Sequence, residues 1–192
     1  LDVYIGADLP RAWALWCNRL ARGELAILPT DTIYGLSTNA WDARAVRRLG
    51  ALKRRHRPST VVPHSTAWAR SLVAPKSRPL FDALWRTHAG ETLLLPYGPD
   101  AGVPRPAAEL TQSGLIGLRA PGHWITALAR DAGVPLVTSS VNISGRPFMV
   151  GLDDIPRGWA GRLDFLVFEG PLERRPSPIN MLERGRLRRR QR

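Results

Sequence analysis

An α/β or α+β fold with a sheet at its core is the class this sequence predicts. Three observations carry it. Short apolar runs of strand length recur along the chain: Leu25–Leu28, Thr92–Leu95, Leu136–Thr138 and Phe165–Phe168. Between them lie segments whose apolar residues repeat at the spacing of a helix with one buried face. Strand and helix signals interleave with no internal repeat and no real linker, so residues 1–192 read as a single domain. A chain of 192 residues, 44% of them hydrophobic, is long enough to bury a sizeable core.

Asp8-Leu9-Pro10 opens the first helix, with Asp8 as its cap and Pro10 in its first turn. Trp13, Trp16, Cys17 and Leu20 form its apolar face, and Gly23 stops it. The strand Leu25–Leu28 ends at Pro29, which cannot donate a ladder hydrogen bond. Asp42 caps a second helix with Ala45, Val46, Leu49 and Leu52 on one face and Arg44, Arg47 and Arg48 off it. Val61–Val62 is a short strand, and Ser65 caps a short helix through Trp68, Leu72 and Val73. The connector 75–79 leads to a helix carrying Leu80, Phe81, Leu84 and Trp85, then to the strand Thr92–Leu95. Residues 96–114, rich in Pro, Gly and Ala, make an irregular excursion. Ile116–Arg119 is a strand closed by Pro121-Gly122, and the helix through Trp124, Ile125, Leu128 and Ala132 ends near Gly133. After the strand Leu136–Thr138 come a short helical turn within Asp153–Trp159, the strand Phe165–Phe168 and a turn at Gly170-Pro171. Ile179–Leu182 and Leu187 onward close the chain as a hairpin.

Composition narrows the function. No apolar run approaches the ~18 residues of a membrane-spanning helix. The first residues, Leu1 to Ile5, lack the basic-then-apolar layout of a signal peptide. A lone cysteine, Cys17, can form neither an internal disulfide nor a cysteine metal cage, and a cytoplasmic setting fits. His56, His64, His88 and His123 are spaced unlike a metal site and read as loop or surface residues, with His123 at the border of a pocket. The net charge of +12 points to anionic partners, nucleotide phosphates or RNA. Nearly all of the excess is Arg, as a GC-rich coding bias would also produce. Against that background Lys53 stands out, because its compact ammonium differs from a planar guanidinium fork.

Three stretches carry chemistry. Pro29-Thr30-Asp31-Thr32-Ile33-Tyr34-Gly35-Leu36 places the hydroxyls of Thr30, Thr32 and Tyr34 just beyond a buried strand, as a polar small-molecule site needs. Lys53-Arg54-Arg55 follows a helix and begins a strongly cationic loop running to Pro58. Thr138-Ser139-Ser140-Val141-Asn142-Ile143-Ser144-Gly145 follows a strand. Taken singly, each has an ordinary reading: a packed Thr-rich strand, a solvated basic loop, a Ser/Asn turn.

In this order, PTDTIYGL, K-x-R and S-x-N in TSSVNISG resemble the YrdC/TsaC family of threonylcarbamoyl-AMP synthases. The resemblance runs from about Gly23 to the C-terminus. It implies a twisted mixed sheet with flanking helices around a positively charged concave cleft. It implies synthesis of threonylcarbamoyl-adenylate and pyrophosphate from L-threonine, bicarbonate or carbon dioxide, and ATP with Mg2+. The product serves threonylcarbamoyladenosine (t6A) modification of tRNA, completed by separate threonylcarbamoyl transferase proteins. By the same resemblance Lys53 and Arg55 are catalytic and, with Ser140 and Asn142, bind ATP. Thr30, Thr32, Tyr34, Arg119, Thr138 and Ser177 hold the threonine and carbamate end, Arg119 facing the amino-acid carboxylate. No residue is implied as a metal ligand.

The chain departs from the family pattern in places. His88-Ala89-Gly90-Glu91-Thr92 stands where the family has W-P-G-P-x-T, and Pro176-Ser177-Pro178 where it has P-S-T. The segment after K-x-R is short. A second reading therefore stays open: a paralogue of this fold that binds double-stranded RNA or tRNA without synthase activity. A third, a carbamoyl-adenylate domain of hydrogenase maturation, lacks its zinc-finger and acylphosphatase-like segments here. The arginines of residues 184–192 fit either an RNA contact or a solvated edge strand.

Overall fold

The computed structural model describes residues 1–53, 59–111, 113–183 and 186–191. Among these residues the strands are β1 (Asp2–Ile5), β2 (Ala26–Leu28), β3 (Gly35–Asn39), β4 (Thr60–Val62), β5 (Thr92–Pro96), β6 (Leu115–Leu118), β7 (Leu136–Ser140), β8 (Phe165–Phe168), β9 (Ile179–Glu183) and β10 (Arg186–Arg190). They form one mixed sheet in the order β1-β8-β2-β3-β7-β4-β6-β5-β9-β10. β8 runs parallel to β1 and β2, β4 to β6 and β5 to β9, while the other neighbours are antiparallel.

Successive strand residues point to opposite faces, and two cores arise from that alternation. On one face Ala26, Leu28, Val62, Leu136, Phe165 and Val167 pack with Trp16, Cys17 and Leu20 of α1 (Leu9–Ala21) and with Ile125, Leu128 and Ala129 of α5 (Trp124–Asp131). On the other, Ile27, Leu36, Val61, Leu93, Val137 and Leu166 pack with three helices: α2 (Ala43–Lys53), α3 (Thr66–Leu72) and α4 (Arg78–Thr87).

The helices stand where the periodicity places them. Asp8 precedes α1 as expected but does not cap it with its side chain, whose Oδ2 instead accepts from Ile5 N at 2.8 Å. Other helix ends carry the expected devices. Gly23, just past α1, adopts φ 78°. Asp42 Oδ1 accepts from the backbone N–H groups of Arg44 at 2.8 Å and Ala45 at 3.1 Å. Ser65 Oγ accepts from Trp68 N at 3.2 Å. Two strands lie outside the expected set. β1 is a short edge strand with Val3 and Ile5 exposed. β3, Gly-Leu-Ser-Thr-Asn, is buried at every position. Its polar side chains are tolerated there because each is bonded: Ser37 Oγ to Thr138 Oγ1 at 3.0 Å, Thr38 Oγ1 to Glu24 O at 2.9 Å, and Asn39 Nδ2 to Ala21 O at 3.0 Å. His64 lies in the loop between β4 and α3, within the loop-or-surface expectation, but it is half-buried there, with the Trp41 and Trp68 rings at centroid distances of 5.2 and 5.1 Å. No helix among the described residues is long and apolar enough to cross a membrane.

One connection crosses much of the sheet. β8 is second in the spatial order and β9 is second from the opposite edge, so segment 169–178 must pass across the strands between them. Several bonds fasten this strap, three of them between Gly170 and Arg174. Gly170 O accepts from the Tyr34 hydroxyl at 2.7 Å, Leu172 N donates to Val150 O at 3.2 Å, and Arg174 Nη1 donates to Asp31 O at 2.9 Å.

Candidate active site

Backbone register builds the site before any side chain is considered. Gly35 pairs with Leu28 and Ser140, Ser37 with Thr138, Thr138 with Thr60, and Thr60 with Gly117. Directly opposed residues share a face, so this row of small and hydroxyl side chains lies on the side that α1 and α5 cover elsewhere. Nothing bulky fills that part of the face. A cleft of about 340 Å³, counting its open mouth, is lined by Thr30, Thr32, Tyr34, Arg119, Thr138, Ser140 and Ser177, together with Thr60, Ser139 and Pro176. Seven residues expected at the site from sequence therefore meet in one cavity, drawn from segments far apart in the chain.

The threonine stretch folds on itself. Thr30 Oγ1 accepts from the N–H groups of Thr32 and Ile33 at 3.1 and 3.2 Å, donates to Ile33 O at 2.7 Å, and lies 3.1 Å from Thr32 Oγ1. This local turn is what Ser and Thr side chains favour at strand ends. Tyr34 lines the cleft, but its hydroxyl is turned to the strap, donating to Gly170 O and accepting from Glu169 N at 3.0 Å. Burial raises its pKa.

Arg119 follows β6 and is 5% exposed. Its Nε donates to Gly90 O at 2.6 Å, and its Nη2 to Asp31 Oδ1 at 2.5 Å and Thr32 Oγ1 at 3.3 Å. Burial pulls this guanidinium below its usual pKa, and the Asp31 carboxylate opposes that pull. Asp31 is itself held, since its Oδ2 accepts from Gly122 N at 3.0 Å.

Lys53 ends α2 and is 3% exposed. Its ammonium donates to the backbone carbonyl of Ser140, to Asn142 Oδ1 at 2.6 Å and to Ser140 Oγ at 3.3 Å. Ser140 Oγ also donates to Asn142 Oδ1 at 2.7 Å, and Asn142 Nδ2 donates to Arg146 O at 2.5 Å. Lys53 thus binds the S-x-N loop together from behind the cleft wall. Arg55, with Arg54, His56, Arg57 and Pro58, lies outside the described residues.

Sequence reasoning passes over four residues here. Thr60 lines the cleft; Thr92 lies 3.5 Å from it and 3.3 Å from Ser177, hydroxyl to hydroxyl. Ser37 supports Thr138. Asp31 sits inside the quoted motif, yet its partners are distant in sequence and give no signal there. His123 borders the region through Glu169, whose carboxylate it meets at 3.2 Å, rather than lining the cleft. Among the described residues no group of three or more His, Cys, Asp or Glu side chains is placed to hold a metal ion.

A family model for Sua5, YciO and YrdC proteins, described as telomere recombination, matches residues 18–190. The chain belongs to the Sua5/YciO/YrdC family. It is 32% identical over 180 residues to the threonylcarbamoyl-AMP synthase of Chromobacterium violaceum, covering 88% of each chain. It is 31% identical over 158 residues to that of Bacillus subtilis, covering 79% of this chain and 44% of the relative. The chain thus spans less than half the length of the Bacillus subtilis relative, and 47% of the Pyrococcus abyssi one. Escherichia coli YciO superposes with a TM-score of 0.78 at 19% identity, covering 99% of this chain and 94% of that one. Pyrococcus abyssi Sua5 complexed with L-threonine superposes with a TM-score of 0.76 at 23% identity, covering 94% of this chain and 54% of that one. These two structures share the mixed-sheet fold of this Sua5/YciO/YrdC family member.

Proposed function

We propose that this chain is a threonylcarbamoyl-AMP synthase. The threonine amine and bicarbonate condense to a carbamate with loss of water. A carbamate oxygen then attacks the α-phosphorus of ATP, the bond to the β-phosphate breaks, and pyrophosphate leaves. The observation that carries this reading is the meeting of Thr30, Thr32, Arg119, Thr138, Ser140 and Ser177 in one cleft.

In this reading each residue has a task. Arg119 offers Nη1, which has no partner among the described residues, to the amino-acid carboxylate. The hydroxyls of Thr30, Thr32, Thr138 and Ser177 orient the carbamate and exclude water from it. Ser140 and Asn142, held by Lys53, shape the wall nearest the nucleotide, and Arg55 supplies charge to the phosphates. Removing the charge that develops on the leaving group is the main demand of the reaction. Mg2+ bound together with ATP would supply further neutralisation of that charge. The adenylate would serve t6A modification of tRNA by separate transferase proteins.

The test is pyrophosphate release from ATP by the purified chain. Release that requires both L-threonine and bicarbonate, with labelled bicarbonate entering an adenylate, is the expected result. Salt-sensitive RNA binding without any threonine-dependent release would overturn the reading in favour of an RNA-binding paralogue.

A further inference from the structure

We propose that Asp31 is a positioning residue that sets the affinity for the amino-acid carboxylate by fixing Arg119. This rests on the synthase reading, with Arg119 as the carboxylate's partner. An arginine side chain has several rotatable bonds, and its fork is useful only if one edge points into the cleft. Three contacts remove that freedom. Gly90 O holds Nε, Asp31 Oδ1 holds Nη2, and Thr32 Oγ1 touches the same nitrogen. What remains is Nη1. Because Thr32 Oγ1 accepts from Arg119, its proton stays available for a ligand oxygen or for Thr30.

Asp31 is in turn locked from three sides. Gly122 N donates to Oδ2, Arg174 Nη1 on the strap donates to the backbone carbonyl, and Gly90 presses close. A Cβ on Gly90 would come within 3.1 Å of Asp31 Oδ2, and Gly90 adopts φ 78°, which side chains rarely tolerate. The backbone at residue 90 is therefore shaped to admit this carboxylate while turning its own carbonyl toward Arg119. A carboxylate needed only to neutralise a buried cation would not require such a seat.

The experiment compares wild type, Asp31→Ala, Asp31→Asn, Arg119→Ala and the double variant Asp31→Ala/Arg119→Ala. It measures threonine-dependent pyrophosphate release and, separately, L-threonine binding by calorimetry without ATP. Asp31→Ala is expected to raise the KM for threonine at least tenfold, with kcat and the KM for ATP changed less than threefold. Asp31→Asn, which keeps the shape and an acceptor, is expected to fall between. The double variant should be no worse than Arg119→Ala alone, since Asp31 acts through Arg119. An unchanged or lowered KM for threonine in Asp31→Ala, or additive losses in the double variant, would overturn the proposal. If Asp31→Ala fails to fold, Asp31→Asn and its threonine binding decide. Wild type that neither binds nor uses threonine would instead sink the synthase reading itself.

Discussion

Lys53 Nζ lies 2.6 Å from Asn142 Oδ1, joining residues 89 positions apart in the chain. Lys53 and the S-x-N loop are therefore two halves of one bonded unit. Lys53 does not reach freely into solvent; it is buried and donates to several acceptors of the loop. A lysine here, in a chain that uses arginine for nearly every other cation, is explained by that slot. A compact ammonium can aim its three donors out of one plane at acceptors clustered around a single atom, whereas a guanidinium is larger and holds its donors in a plane.

Lys53→Met should therefore damage structure and turnover together. The Ser140 carbonyl and Asn142 Oδ1 each lose the charged donor but keep a neutral one, Asn142 N and Ser140 Oγ respectively, so the cost is that of lost charge-assisted bonds, on the order of 1–2 kcal/mol. Urea unfolding measures that loss. Threonine-dependent pyrophosphate release should fall by about two orders of magnitude, the size of effect expected when a positioned charge is lost. Lys53→Arg should not restore it; full activity in that variant would remove the geometric argument for lysine.

Gly35 is needed for space. A Cβ there would sit 2.2 Å from Thr138 Oγ1. Gly35→Ala should destabilise by about 1–3 kcal/mol, the usual range for forcing extra atoms into a packed site. The clash is with one hydroxyl, so Thr138→Ala should relieve much of it. A double-mutant cycle by thermal or urea unfolding reads the coupling. Additive losses would show that the crowding lies elsewhere.

His64 gives a pH signature. Burial between Trp41 and Trp68 lowers its pKa from 6.5, and its Nδ1 has no partner among the described residues. Below pH 6.5 the unfolded chain therefore binds a proton that the folded chain resists, so stability falls as pH falls through that value. Above it this contribution is fully present. Unfolding midpoints measured between pH 7.5 and 5 should decline, and His64→Phe should flatten the decline. An identical slope in the variant would exclude His64 as its origin.

The helices and most strands are legible in the sequence because their signals are local. Helical spacing, Asp42 and Ser65 as caps, and Pro29 as a stop act within a few residues. β3 is not legible for the opposite reason. Ser37, Thr38 and Asn39 look like loop residues until their partners are known, and those partners are Thr138, Glu24 and Ala21. The same limit applies to the site. Motif residues announce Thr30, Thr32, Arg119, Thr138, Ser140 and Ser177, and the register brings them to one cleft. The neighbours of Arg119 cannot be read from sequence, because Gly90, Asp31 and Gly122 meet only through tertiary folding.

The strap from β8 to β9 has little slack. At about 4.8 Å per neighbouring strand, crossing from one to the other over a flat sheet is a path of roughly 34 Å. The eleven Cα–Cα steps from Phe168 to Ile179 reach about 36–40 Å when fully extended. Twist shortens the direct distance, and the connection keeps only modest slack. Its length is thus constrained in one direction only: a shortened linker would drag the terminal hairpin off the edge of the sheet, whereas an added residue would bulge outward and cost almost nothing.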